Sequence, residues 1–362
     1  MFDKRESLKV KGIAICMLLI HHLLYSKQRV TAGGVVFHWL SMDQVTQIAT
    51  GMRLCVWIFA FISAYGLTKQ YLALGVQPSF KEQLRFVYKR WIATMTPYWL
   101  IFAIVTLIAT LAYKDPLTIF GGTFKNFCLG LFAWSDLFGT TMPVAAWWYM
   151  AFAQLVILAI PLLVELCRKF NWFTLIASFL LLPYLGKGIL SKFGGYYWNY
   201  LFVVILGVLC AKNDLMEKLA GNNSRWWVRL VKGIVFFAGA VACVAINTKY
   251  SATDTWKVTK LFMALGALLT CAFSYVCLTG RWLGNVLEYL GKHSGNIFLI
   301  HAFSYTFWLK YTYWSHNAVL TFFTVLIASL ICSIACQYLH KALRRLTAKR
   351  PEKALSAADD RR

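Results

Sequence analysis

Ten apolar runs, separated by polar or basic segments, organise the whole chain. They lie at about residues 10–25, 52–74, 92–113, 145–167, 171–190, 196–212, 229–248, 259–279, 289–309 and 317–340. Each is near the roughly 17–25 residues that a helix needs to cross a bilayer, and is too uniformly apolar for the alternating strands of a barrel. The pattern predicts an all-α integral membrane protein with about ten transmembrane helices, in a domain at 1–345. The polar segment at 346–362 is predicted to be a disordered basic cytoplasmic tail.

Basic residues gather in alternate connections between these runs. With the N-terminus placed in the cytoplasm, 26 of the 37 Lys and Arg residues fall on the cytoplasmic side. This is the positive-inside bias, and it predicts that both termini are cytoplasmic and that the number of spans is even. One irregular hairpin is the alternative to two spans at 171–212, where Pro183 and the glycines at Gly186, Gly188, Gly194 and Gly195 interrupt the apolar pattern.

The composition excludes a soluble protein. Hydrophobic residues make up 59% of the chain and charged residues only 14%, whereas soluble domains carry about 25% charged residues. The formal net charge of +23 marks topology and contacts with lipid headgroups, because the basic residues stand between apolar runs. The ten cysteines form no CxxC pair and lie mostly inside the runs, as small hydrophobic residues do. We therefore predict no metal site and no nucleic-acid partner.

The first apolar run carries ionisable residues that a membrane span normally excludes. Lys11 stands at its start, and His21 and His22 lie deep inside it, although such groups cost a few kcal/mol each in hydrocarbon. Lys11 and His22 are eleven residues apart, so they share one helix face and are separated by about 16 Å along the axis. His21 points about 100° away. We interpret His22 as functional and His21 as a structural, hydrogen-bonded histidine.

A second histidine falls at a similar depth. His301 lies about twelve residues above the cytoplasmic end of the ninth run, much as His22 does in the first. Ser63 and Tyr65 fall near the middle of the second run. Two imidazoles, a hydroxyl and a phenol are therefore predicted to share one buried layer. On this argument alone, both a structural and a catalytic role stay open for His301.

Further basic residues flank this layer. Arg90, with Lys89 before it, precedes the third run at the level of Lys11, and a guanidinium there suits a phosphorylated cytosolic donor. A positive-inside flank is the alternative for Lys89. Pro97, in the first turns of the same run, is predicted to kink the helix and open a gap. On the outer side, Arg53 either snorkels to headgroups or holds an anionic or hydroxyl-rich acceptor.

The outer connections are long and partly apolar. Those at about 26–51 and 114–144 predict an interfacial helix or a re-entrant segment that lies over an outer cavity. Trp148 and Tyr149 match an outer aromatic belt, at the start of the fourth span.

Four segments stand in a distinctive order along the chain. Lys11 is followed after ten residues by His22; Cys55–Leu67 reads CVWIFAFISAYGL; Lys89–Tyr98 reads KRWIATMTPY; and Leu290–His301 reads LGKHSGNIFLIH. These segments resemble four motifs of the membrane-bound acyltransferase 3 family. The first is a basic residue separated from a His by ten residues. The other three, in order, are V-x-x-F-x-F-x-SGY, RR-x-x-R-x-x-P and LG-x-x-S-x-x-I-Y-L-I-H. The chain departs from them at Lys11, where relatives often have Arg, at Ala64 in place of Gly, and at Ala93 and Thr94, which leave the third motif with fewer basic residues.

The resemblance implies transfer of an acyl group from a cytosolic coenzyme A thioester to a sugar or another acceptor at the outer face. Taken with the residues above, it implies three groups of site residues: catalytic His22 and His301; acyl-donor-binding Lys11, Arg90 and Lys89; and acceptor-binding or supporting Ser63, Tyr65, Arg53, Trp148, Tyr149 and Ser294. Ser63, Tyr65 or His301 are expected to donate to the thioester oxyanion.

We therefore predict a multi-pass, acyl-CoA-dependent O-acyltransferase of a bacterial cytoplasmic (inner) membrane. Acetyl-CoA is the default donor and is a substrate, not a bound cofactor. A saccharide, a lipid-linked sugar or a glycolipid is the acceptor, and the lipid bilayer is the other partner. His22 acts as general base or as a transient acyl carrier, and its burial favours the neutral form that either role needs. The alternative is a saccharide or lipid-linked sugar transporter (flippase) with the same cavity and no acyl transfer.

Overall fold

The computed structural model describes residues 2–185, 197–221, 225–250, 256–278 and 280–348, and the predicted all-α membrane architecture is confirmed. The α-helices are α1 (Lys4–Leu24), α2 (Lys27–Ala32), α3 (Met42–Gly51), α4 (Leu54–Leu72), α5 (Phe80–Tyr113), α6 (Phe124–Leu131), α7 (Trp148–Phe170), α8 (Trp172–Leu185), α9 (Leu201–Lys212), α10 (Leu215–Ala220), α11 (Trp226–Tyr250), α12 (Trp256–Cys277), α13 (Arg281–Phe307), α14 (Leu309–Thr312) and α15 (Ala318–Ala348). No strand occurs among these residues. The glycines predicted to interrupt the chain at 186–195, and the tail beyond Ala348, lie outside the described residues.

Each of the ten predicted spans overlaps one of the longer helices. Within the described part of the chain, seven helical segments are long and apolar enough to cross a membrane. The apolar segments of α8 and α9 are shorter, at 10–17 residues. Helix α13 carries Glu288, Lys292 and His293 in its first half and is not among the seven. The count of ten spans therefore stays a prediction.

Helices α1 and α13 approach each other backbone to backbone at two glycines. A Cβ atom on Gly12 would stand 2.1 Å from the carbonyl oxygen of Leu287, and one on Gly291 would stand 1.9 Å from the carbonyl oxygen of Leu8. Small residues allow this close packing of helices in membranes, where van der Waals contact replaces the hydrophobic effect as the attraction between helices.

The paired helices run parallel, with a partly buried ion pair near one end. Lys9, 5% exposed, donates to the Leu278 carbonyl (3.0 Å) just before α13 and pairs with Glu6 at 2.7 Å. About one and a half turns before the end of α13, the His301 ring meets that of His22. Helix α1 also packs on α3, α4, α12 and α15, so it stands at the centre of the helices that build the site.

Helix α5 begins earlier than its predicted span, which was placed from residue 92. The Ser79 hydroxyl accepts from the Glu82 backbone N–H, and the Glu82 carboxylate accepts from that of Ser79 (2.8 Å). This capping box starts the helix at Phe80. The helix continues through Pro97, which cannot donate to the Ala93 carbonyl but does not end the helix.

The connection between α5 and α7 folds back against α5. The Tyr98 hydroxyl donates to the Gly130 carbonyl, and the Trp99 indole donates to the Leu131 carbonyl at 2.9 Å. Both carbonyls belong to the last turn of α6, where helical donors run out. This segment, predicted as an interfacial or re-entrant element, is thus a short helix fastened to α5 by aromatic donors.

Gln154 is a buried polar residue that joins α7 to α5 and to this connection. It is 3% exposed, and its Oε1 accepts from the indoles of Trp91 (2.8 Å) and Trp134 (3.2 Å). Its Nε2 donates to the Phe132 carbonyl at 2.9 Å. One amide side chain therefore satisfies three polar groups, one on α5 and two in the connection that follows α6.

We expect Gln154→Leu to destabilise the protein without touching the cavity wall. The change leaves two indole N–H groups and a carbonyl without their partner, at about 1–3 kcal/mol for each group that stays buried. The Tm in detergent should fall clearly below that of wild type. Leu155→Ala is the matched control, because that neighbour is exposed on the same helix. Equal Tm values for Gln154→Leu and Leu155→Ala would contradict this account.

Candidate active site

An elongated cavity of about 740 Å³ runs along α1 between α4, α5, α7, α13 and α15. Lys11 and His22 both line it, so the face of α1 that carries them looks into the cavity over about 16 Å. Leu18, Phe59 and Val156 line the stretch between them. The volume is in the range of about 300–1,000 Å³ that is usual for ligand pockets.

Basic side chains from α1, α5, α13 and α15 line the Lys11 end of the cavity. This basic mouth consists of Lys11, Arg90, Lys292, His340, Lys341 and Arg344. Lys292 pairs with Glu288 at 2.7 Å, but none of the described residues that line the cavity is acidic. The Nε of Arg90 is buried and has no hydrogen-bond partner among the described residues. The mouth thus offers positive charge, including the guanidinium of Arg90, to an anionic ligand.

Three rings meet at the other end of the cavity. The His22 and His301 ring centroids are 5.1 Å apart, and the Tyr305 ring lies 5.9 Å from His22 at an interplanar angle of 18°. His301 is 1% exposed, whereas His22 lines the cavity. The structure therefore brings together the two histidines that the depth argument placed in one layer, with His22 as the one that a ligand can reach.

The hydrogen bonds of His301 define which of its nitrogens carries the proton. Its Nδ1 lies 2.8 Å from the Phe298 carbonyl and 3.2 Å from the Ile297 carbonyl. A carbonyl only accepts, so Nδ1 donates and Nε2 carries the lone pair. Nε2 is buried without a partner among the residues that the structure describes. In this form His301 accepts a proton or a hydrogen bond, which corrects the expectation that it donates to an oxyanion.

Hydroxyl donors lie on the facing walls. Ser63 on α4 and Tyr149 on α7 both line the cavity. Trp148 and Ser294 line it as well, and the Ser294 hydroxyl donates to the Gly291 carbonyl at 2.8 Å. Ser63 and Tyr149 are therefore the hydroxyls available to a ligand along this wall.

Four residues predicted for the site lie outside the cavity lining: His301, described above, and three whose side chains lie elsewhere. Tyr65 is two residues beyond Ser63, or about 200° around α4, and packs edge-on against Phe2 with ring centroids 5.2 Å apart. Lys89 is exposed on α5, beside Arg90. Arg53 is exposed where α4 begins. The structure corrects their placement: these side chains do not face the site.

His21 is held on another face of α1. Its Nδ1 lies 2.8 Å from the Ala49 carbonyl of α3 and so donates to it. Its ring stacks on Tyr25 with centroids 4.8 Å apart. The adjacent histidines thus have different environments, one packed between helices and one on the cavity wall.

Sequence reasoning missed the contribution of α15 and of Asn296. Sequence reasoning gave His340, Lys341 and Arg344 no role in the site, yet all three line the basic mouth. Their spacing over little more than one helical turn, at the end of the last apolar run, was the available signal. Asn296 also lines the cavity, two residues after Ser294. Among the described residues, no group of three or more His, Cys, Asp or Glu is placed to hold a metal ion.

Comparison with known proteins gives one match. The acyltransferase 3 family model, described as "Acyltransferase domain", matches residues 9–338. No curated protein and no solved structure matches the chain. The matched stretch includes Lys11, His22, Arg90 and His301, while the mouth residues at 340–344 lie just beyond it. A match over most of the chain confirms the resemblance seen in the four segments: the chain belongs to the acyltransferase 3 family.

Proposed function

We propose that the protein transfers an acyl group, acetyl by default, from cytosolic acyl-CoA to a hydroxyl of a saccharide or lipid-linked sugar at the outer face. The family supports acyl transfer in general. The observation that carries the finer proposal is the continuous cavity that joins Lys11 and Arg90 at one end to His22 at the other. A cytosolic thioester that must reach an acceptor on the far side needs a passage of this kind.

The basic mouth binds the phosphates of coenzyme A. Arg90 supplies a guanidinium, and Lys11 and Lys341 add positive charge. The pantetheine arm then follows the apolar wall past Leu18 and Phe59, along the same face of α1. The rise of about 16 Å from Lys11 to His22 is of the same order as the length of that arm, which brings the thioester to the imidazole.

At that end the acceptor hydroxyl attacks the thioester carbonyl carbon while His22 takes the hydroxyl proton. The C–S bond breaks, and the sulfur leaves as coenzyme A thiol after it receives the proton from His22. In the covalent variant, His22 attacks the thioester carbonyl carbon, the C–S bond breaks and coenzyme A leaves as the thiolate. The acceptor hydroxyl then attacks the acyl-imidazolium, its proton passes to the thiolate, and the C–N bond to His22 breaks to free the imidazole. His301 offers the lone pair of Nε2 as a hydrogen-bond acceptor and so orients the group that donates to it. Ser63 and Tyr149 donate to the carbonyl oxygen as negative charge develops there.

The same proposal places the chain in a bacterial cytoplasmic membrane with ten spans and both termini inside. The basic mouth supports this orientation, because it combines side chains near the start of α1 and near the end of α15. Positive charge collects on the cytoplasmic side of membrane proteins.

Donor binding can be tested without knowing the acceptor. Saturating acetyl-CoA should raise the Tm of the purified protein, since a ligand at 100 times its Kd stabilises by about 2.7 kcal/mol. Arg90→Ala should remove most of this rise, because hydrogen bonds to a charged group contribute about 1.5–3 kcal/mol. Differential scanning fluorimetry in detergent, with acetyl-CoA and 3′-dephospho-acetyl-CoA as probes, measures both effects.

Lys89→Ala is the matched control, because it removes a neighbouring charge that lies outside the cavity. It should keep the full acetyl-CoA shift. Equal shifts for Lys89→Ala and Arg90→Ala would contradict the assigned mouth. No shift in wild type would reject acyl-CoA as the donor and favour the transporter alternative.

A further inference from the structure

Arg29 is a cation of the outer connection to which the sequence assigned no role. Helix α2 follows α1 after two residues and carries Arg29 back over the end of α1. The Arg29 guanidinium donates to the backbone carbonyl of His22 and lies 4.1 Å from the centroid of the Tyr305 ring. One half-buried side chain therefore touches both the backbone of His22 and the ring packed on its imidazole.

The first effect of Arg29 is on the C-terminal end of α1. The last carbonyls of a helix have no donor within it, and a cation there also complements the helix dipole. Arg29 satisfies the His22 carbonyl, and the Tyr313 hydroxyl donates to the next one, that of Leu23, at 2.7 Å. These two side chains cap α1 directly at the proposed catalytic residue.

The second effect of Arg29 is on the packing of the His22 imidazole. Tyr305 lies nearly parallel to the His22 ring and also contacts Arg29, so the three groups form one packed unit. The guanidinium has no ion-pair partner among the described residues, whereas its neighbour on α2, Lys27, pairs with Asp43. The Arg29 guanidinium thus interacts with a carbonyl and an aromatic ring rather than with a carboxylate.

We propose that Arg29 is a positioning residue for His22, a role that rests on the proposed acyl transfer. By fixing both the backbone and the ring packing of His22, it holds the imidazole at the angle from which it meets the thioester and the acceptor hydroxyl. A planar guanidinium can serve a carbonyl and a ring face together, which an ammonium does less well.

The test compares variants of the full-length protein in detergent, with labelled acetyl-CoA and the envelope saccharide fraction of cells that lack the gene. Arg29→Gln should lower kcat by on the order of 100-fold, the loss expected when a catalytic group is misplaced by about 1 Å. The KM for acetyl-CoA and the acetyl-CoA Tm shift should stay at wild-type values, because the basic mouth lies at the other end of the cavity. Arg29→Lys should restore part of kcat. Lys27→Ala, which removes a charge from the same helix, should leave kcat unchanged.

A double variant separates positioning from loose packing. If Arg29 and Tyr305 act as one unit, Arg29→Gln combined with Tyr305→Leu should lose no more than the worse single variant. Wild-type kcat in Arg29→Gln overturns the proposal. A loss of kcat that comes with an equal loss of the acetyl-CoA shift overturns it as well, since that shows general damage. If wild type itself transfers no label, the proposed function fails, and this inference fails with it.

Discussion

His22→Ala is expected to lower acyl transfer by about 10²- to 10⁴-fold, the usual contribution of a positioned acid–base group. His22 lines the cavity at the end opposite the basic mouth, and its neighbour His301 is too buried to replace it. The acetyl-CoA Tm shift should persist, because the phosphates bind at the other end. Transfer of label from acetyl-CoA to the envelope saccharide fraction of cells that lack the gene measures the loss.

His21→Ala is the matched control on the same helix. Its loss removes the hydrogen bond to the Ala49 carbonyl and should cost about 1–3 kcal/mol of stability. Turnover per folded molecule should stay near wild type, because the His21 ring lies outside the cavity lining. Equal losses of transfer in both variants, or none in His22→Ala, would contradict the assignment of His22.

Gly291→Ala is expected to have the second largest effect, although the residue carries no chemistry. The added Cβ would stand 1.9 Å from the Leu8 carbonyl oxygen, and backbone cannot move aside as a flexible side chain does. Helices α1 and α13 must therefore separate, which moves His22 relative to His301. Overpacking of this kind costs about 1–3 kcal/mol, and a displacement of about 1 Å costs about 10²-fold in rate. Both Tm and kcat should fall, and Gly12→Ala should behave in the same way.

Gly280→Ala is the control for this pair, because a Cβ there meets nothing within 4 Å. It precedes α13 and should keep both Tm and kcat. Wild-type kcat in Gly291→Ala would show that the close approach of α1 and α13 does not set the geometry of the two histidines.

Much of the architecture could be predicted because membrane spans are local signals. The apolar runs gave the helical class and the approximate position of each long helix, and four short segments gave the family. The positions of Lys11 and His22 followed from the helical repeat alone, since eleven residues return nearly to the same face. The depth of His301 followed from counting residues along its own run.

The corrections arise where the direction or the hydrogen-bond partners of a side chain decide its role, since depth along a span gives neither. Tyr65 was grouped with Ser63 by depth, but two residues on a helix lie about 200° apart, so the two point to different faces of α4. The packing of Phe2 on Tyr65 shows which face that is. The role of His301 changed because its tautomer depends on carbonyls of its own helix.

The missed residues were missed because their roles depend on contacts between elements that are far apart in the sequence. Arg29 lies in a connection, and nothing local indicates that α2 folds back over the end of α1. The basic residues of α15 resembled an ordinary positive flank until the helix was seen to pack beside α13 and α5. Gly12 and Gly291 are visible in the sequence, but their mutual roles require the pairing of two helices that are almost 280 residues apart.

The central claim is that one cavity carries the acyl donor from the basic mouth to His22. Photolabelling with an acyl-CoA that carries a diazirine on its acyl chain, followed by peptide mass spectrometry, tests it without an acceptor. We expect labels on the peptides that contain His22, Ser63 and Tyr149, reduced by excess acetyl-CoA and lost in Arg90→Ala. Labels confined to the basic mouth, or labelling that excess acetyl-CoA does not reduce, would contradict it.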